Sequence, residues 1–144
     1  LASITEIRVR FCETDAVGHV NNVSYFIYLE QARVDFIKAL LPDRSEKQWN
    51  IAVVSLHCDF LDQAYFDQVL TIRTAVKRIG TKSFTLSHAI VEKSAGKPIA
   101  MGESVVVLLD AEKKQAVPLD EIWVGELKKH LEGETKGKAS CSNS

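Results

Sequence analysis

The chain has 144 residues, of which 46% are apolar and 26% charged, with a formal net charge of −1 at pH 7. That length and balance suit one globular domain with a sizeable core, and near-neutral charge gives no electrostatic reason to expect nucleic acid as a partner. No apolar run reaches the roughly 18–20 residues of a membrane span, and no signal peptide is visible.

Residues Ile4 to Phe11 alternate in polarity and predict a first strand. A loop rich in Asp, Gly, His and Asn follows. Asn22 or Ser24 can then cap a helix from about Tyr25 to Leu41, ending before Pro42. Tyr25, Tyr28, Leu29, Ala32, Phe36, Ala39 and Leu40 form one apolar face, and Phe26, Ile27, Val34, Ile37 and Leu41 cover much of the rest, so the helix is expected to be buried nearly all round. After a polar connection the period changes to two, and Ile51–Leu61, Val69–Ile79, Ser83–Lys93 and Pro98–Asp110 predict four strands. Ala100, Gly102 and Ser104 share a face of the last, where small side chains let a helix approach closely. Asp120 can cap a short helix to about Leu131. The Gly-, Ser- and Lys-rich stretch 132–144 is expected to be a flexible tail behind a single domain of residues 1–131.

This order predicts an α+β fold in which an antiparallel sheet of about five strands wraps around one long central helix. Apolar helix surface left over by such a sheet predicts a dimer or larger assembly.

The chemistry concentrates between Arg10 and Tyr25. Asp15, Gly18, His19, Asn21 and Asn22 lie between the first strand and the helix. A helix start gathers unpaired N–H groups and partial positive charge, which suits developing oxyanions. An acid in a crevice beside it supplies the other part that acyl transfer needs. The same residue types also build structural turns and caps, and residues alone put catalysis only modestly ahead.

Glu13-Thr-Asp15-Ala-x-Gly18-His-Val-Asn-Asn-x-x-Tyr25, leading into Tyr28-Leu-Glu30-x-Ala-Arg33, resembles the hotdog-fold acyl-CoA thioesterases of the 4-hydroxybenzoyl-CoA thioesterase-like group over about residues 4–125. Phe60-Leu-x-x-Ala64-Tyr-Phe-Asp67, Gly80-Thr-Lys-Ser83-Phe84 and Pro118-Leu119 add to the likeness. The resemblance implies hydrolysis of an acyl-CoA to free acid and coenzyme A, without a cofactor beyond the coenzyme A of the substrate. Asp15 would be the catalytic acid, attacking the carbonyl or activating water, and the backbone N–H of Asn22 would polarise the thioester. Gly18, His19, Val23 and Tyr25 would meet the substrate, with the coenzyme A phosphates near Lys77, Arg78, Lys82 and Ser83. Active sites would lie between subunits of a homo-oligomer, a dimer or a dimer of dimers (a homotetramer). The alternative is a non-catalytic acyl-CoA or acyl-carrier binding protein on the same fold. Hydratases of this fold pair an Asp with a His five residues on, where this chain has Val20.

Other residues have plainer expected roles. His19 holds the loop through its backbone, and Asn21 takes up a left-handed backbone there. Glu30 and Arg33 make a buried or half-buried ion pair. Ser55, His57 and Asp59 alternate along one strand about 7 Å apart, too far for a triad, and line a subunit contact or pocket edge. His88 is a satisfied core histidine and Cys58 a small core residue. Cys12, Cys58 and Cys141 are odd in number and lack metal-ligand spacing, so neither a disulfide framework nor a metal site is expected, and the setting is expected to be cytoplasmic.

Overall fold

The alternating segments become strands and the apolar segment a helix, in a computed structural model that describes residues 3–132. The strands are β1 (Ser3–Arg8), β2 (Ile51–Phe60), β3 (Val69–Ile79), β4 (Ser83–Glu92), β5 (Lys97–Leu109) and β6 (Ala116–Val117). The helices are α1 (Asn22–Leu40) and α2 (Glu121–Lys128), the latter capped by Asp120, whose carboxylate accepts from Trp123 N–H at 2.9 Å. The expected tail lies outside the described residues apart from Glu132, and Cys141 lies there too.

All strand pairs are antiparallel, in the order β1-β3-β4-β5-β2 with β6 added to β5. This corrects the expected wrapped arrangement of about five strands. Among the described residues there are six strands in the sheet, and it does not curl closed around the helix: β1 pairs with β3 alone and β2 with β5 alone, so these end strands do not meet. The burial of α1 gives the physical reason. Tyr25, Tyr28, Leu29, Ala32, Phe36, Ile37 and Leu40 are buried, whereas Val23, Ile27, Glu30, Gln31, Lys38 and Ala39 are exposed. The helix therefore has one face to cover, not a full circumference, and one face of an open sheet covers it.

Close approach of helix and sheet depends on Gly102. Thr74, His88, Gly102 and Cys58 lie side by side across β3, β4, β5 and β2. A Cβ at Gly102 would stand 2.8 Å from Leu29 Cδ1 and 3.1 Å from the His57 carbonyl oxygen, inside contact distance. The small-residue face expected on β5 is thus the one under α1.

A polar string runs through the same layer. Arg33 Nη1 donates to Ser104 Oγ at 3.2 Å, Ser104 Oγ lies 2.9 Å from His88 Nε2, and His88 Nδ1 lies 3.0 Å from Thr74 Oγ1. All four residues are buried. A guanidinium only donates, so the Ser104 proton is free to go to Nε2, leaving Nδ1–H for Thr74. Burial first, and then the Arg33 cation, hold the His88 pKa down at about 4, so this is the satisfied core histidine that was expected. The expected Glu30–Arg33 pair does not form: Glu30 is exposed, and no ion pair joins the two among the described residues. Arg33 turns inward to Ser104 instead, because its position on the wheel lies inside the buried face.

Candidate active site

The loop between β1 and α1 is held as one rigid unit. A 3-10 turn at Phe11–Glu13 ends the strand, and Thr14 then pairs with Val20 across the loop. Inside that bridge, Asp15 N–H donates to the His19 carbonyl at 2.8 Å and Gly18 N–H to the Asp15 carbonyl at 3.1 Å. Gly18 has φ +96°, a left-handed value that L side chains rarely adopt, so the glycine is a requirement of the turn.

Asp15 is exposed. Its Oδ1 accepts from Val17 N–H at 2.9 Å and His19 N–H at 3.2 Å, while Oδ2 has no hydrogen bond among the described residues. One carboxylate oxygen thus builds the turn, and the other is left without a partner among the described residues. His19 holds the loop through its backbone, as expected, and its ring packs edge-on against Tyr65 at 5.5 Å. Val20 N–H donates to the Ala64 carbonyl at 2.8 Å, tying the loop to the segment before β3.

The helix cap is Asn21, not Asn22 or Ser24. Asn21 Oδ1 accepts from Val23 N–H at 3.0 Å, and the Asn21 carbonyl accepts from Ser24 N–H at 2.8 Å. Its φ of −65° is an extended cap conformation, not the left-handed one expected. Of the first three amides of α1, the Asn22 N–H has no acceptor among the described residues. It carries the partial positive charge of a helix start. Ser24 is buried, with its hydroxyl donating to the Glu13 carbonyl at 3.0 Å.

Glu13, absent from the expected site, is the hub of this corner. Its Oε1 accepts from Arg10 N–H at 2.8 Å and Tyr28 Oη–H at 2.9 Å. Its Oε2 accepts from Arg10 Nε at 2.9 Å and Nη2 at 2.7 Å. Burial alone would raise its pKa, but the bonds from Arg10 and Tyr28 outweigh that and hold it below the ordinary 4.5. Burial, followed by the bond to Glu13, pushes the Tyr28 hydroxyl upward in turn. The three-residue spacing of Arg10 and Glu13 at a strand end was the available signal.

The remaining expected site residues fall into two groups. Val23 is exposed beside the cap, whereas Tyr25 is buried under the loop, its ring 5.3 Å from Phe60 and its hydroxyl beside the Ala64 backbone without a well-formed hydrogen bond. Lys77, Arg78, Lys82 and Ser83 sit at the far end of β3 and its turn into β4. Lys77 pairs with Glu103, Arg78 Nη1 lies 3.5 Å from Thr85 Oγ1, and the Ser83 carbonyl accepts from Gly80 N–H at 2.7 Å. The Asp15 loop adjoins the other end of β3, on the order of 25 Å away along eight residues at roughly 3.3 Å each. One chain therefore does not bring the two groups together. Nor does it enclose Asp15: a groove of about 330 Å³ lies alongside, lined by Arg8, Arg10, Glu13, Ile27, Tyr28 and Glu30 among others, but Asp15 is not in its wall. His57 Nε2 and Asp59 Oδ1 do meet, at 3.1 Å, because side chains span what the backbone spacing keeps apart; both are exposed, and Ser55 takes no part.

The family profile described as the thioesterase-like superfamily matches residues 9–126, which include the whole loop. The chain belongs to the thioesterase-like superfamily. Within that superfamily it is similar to the long-chain acyl-CoA thioesterase FadM of Escherichia coli, with 31% identity over 89% of this chain and 96% of that one. It is 36% identical to the uncharacterized YsmA of Bacillus subtilis, over 88% of this chain and 82% of the relative. The structure of a predicted thioesterase from Bacillus stearothermophilus superposes with a TM-score of 0.83 at 30% identity, covering 91% of this chain and 97% of the other.

Proposed function

We propose that this superfamily member is an acyl-CoA thioesterase that converts a thioester and water to a free acid and coenzyme A. The observation that supports the reading is the loop itself: Asp15 Oδ2 has no hydrogen bond and the Asn22 N–H, at the start of the helix that follows the loop, has no acceptor among the described residues. Long-chain acyl-CoA hydrolysis by a relative 31% identical over most of both chains supports it. In the general-base form, Asp15 Oδ2 takes a proton from water as the oxygen adds to the carbonyl carbon. The Asn22 N–H receives the charge on the carbonyl oxygen, the C–S bond breaks, and the thiolate leaves and is protonated. In the nucleophilic form, Oδ2 itself attacks the carbonyl carbon, the C–S bond breaks and the thiolate leaves and is protonated, and water then cleaves the mixed anhydride to the free acid and the Asp15 carboxylate.

The site in this reading is completed by a second copy of the chain. Among the described residues β2 is an edge strand with one unpaired side, and it exposes Val54 (59%), Leu56 (43%) and Phe60 (43%). Such an edge invites pairing with another strand. A partner copy would supply the Lys77–Ser83 cations that one chain holds too far from Asp15, so a homodimer or a dimer of dimers carries the activity. The reading includes a cytoplasmic setting, supported by the free thiols of Cys12 and Cys58.

A panel of aromatic, short-chain and long-chain acyl-CoAs, followed by release of free thiol, tests the proposal. Turnover of at least one class is expected. Saturable binding of an acyl-CoA with no thiol release would select the non-catalytic binding protein instead.

A further inference from the structure

Glu13 and Tyr28 stand outside every role expected of the site, yet they fasten both of its ends. The Glu13 carboxylate accepts from Arg10, at the exit of β1, and from the Tyr28 hydroxyl, two turns into α1. The carbonyl of the same residue accepts from Asn21 N–H at 2.9 Å and from the Ser24 hydroxyl at 3.0 Å. Residues 14–20 are therefore closed between a buried side chain and its own backbone. Asp15 leaves that closure by the second residue after Glu13, and Asn22 by the first after Asn21.

We propose that Glu13 and Tyr28 form a positioning pair that fixes the distance between the Asp15 carboxylate and the Asn22 N–H. The inference rests on the reading of Asp15 as the acid of the reaction. Neither residue reaches the reacting atoms: both are buried, and they act through the loop. A carboxylate suits position 13 because every group facing it is a donor. An amide there turns an N–H toward either the guanidinium or the Tyr28 hydroxyl and Arg10 N–H. Phenylalanine at 28 deletes one hydroxyl and preserves the ring packing against Tyr25, whose centroid is 6.0 Å away.

The test is steady-state kinetics on the intact protein with an acyl-CoA it hydrolyses, for wild type, Glu13→Gln, Tyr28→Phe, the double variant and Asp15→Asn. Each single variant at the pair is expected to lower kcat by about fivefold or more, because misplacing aligned groups costs rate. KM is expected to stay within about twofold, since binding contacts are untouched. The double variant should fall no further than the weaker single one, as two ends of one bond do. Amide exchange in residues 14–24 should quicken in Tyr28→Phe while β3–β5 stay protected. If Glu13→Gln does not fold, Tyr28→Phe alone decides on kcat and exchange. Wild-type kcat in Tyr28→Phe, or losses that multiply in the double variant, would overturn the positioning role. An inactive Asp15→Asn beside a fully active Tyr28→Phe rejects this inference and leaves the proposed function standing. A fully active Asp15→Asn rejects the reading of Asp15 itself.

Discussion

His88 shows how burial, together with the Arg33 cation beside it, sets a residue's behaviour. Its folded pKa of about 4 stands below the ordinary 6.5, so as pH falls the unfolded chain takes up the proton first. Its contribution to stability is complete above pH 6.5 and is lost as pH drops through about 4, by about 3 kcal/mol in all. Thermal unfolding followed from pH 7 to 4 should show that fall, and His88→Gln should flatten it. An unchanged slope in the variant would place the titrating group elsewhere. The role of His88 was legible in the sequence, from its register with Phe84, Leu86 and Ile90. Glu13 was not, because a carboxylate at a strand end reads as solvent-facing until the helix that covers it is in place. Asn21 was misplaced by a single position against Asn22, since both are cap-forming residue types and only backbone angles separate them.

At the scale of elements, the periodicities located every long strand and both helices to within a few residues. They could not say how far the sheet would travel around α1. That depends on whether the outer helix positions, Val23 and Ile27 among them, find a cover, and among the described residues they do not. At Gly102 the helix comes so close to β5 that a Cβ there would meet Leu29 Cδ1 at 2.8 Å. Gly102→Ala drives a methyl against Leu29 and the β2 backbone, so a loss of about 1–3 kcal/mol is expected by denaturant unfolding. Gly102 was legible as a small-residue position; that its neighbour would be Leu29 was not, because helix rotation over a sheet is fixed by packing. A stability equal to wild type would mean that α1 rides higher over β5 than described.

For the whole molecule, the open sheet leaves two consequences tied together. The apolar β2 edge has no paired strand on one side among the described residues, and the acid loop is about one strand length from the basic turn at Lys77–Ser83. A second copy seated on β2, as proposed, would answer both. Leu56→Lys places a charge in that edge, and sedimentation should show a shift toward monomer with thiol release falling in parallel. A monomeric variant with full turnover would separate the assembly from the active site. Membership of the superfamily was legible from Asp15 to Arg33, whereas the assembly was legible only as surplus apolar surface, since sequence does not say which edge carries it.

The account turns on the Oδ2 oxygen of Asp15. Asparagine keeps the Oδ1 acceptor that holds Val17 and His19 and removes the base, so Asp15→Asn separates the turn from the chemistry. With the best acyl-CoA of the panel, kcat/KM for thiol release is expected to fall about 100-fold or more at an unchanged melting temperature. Thiol release at the wild-type rate in that folded variant would contradict the central claim.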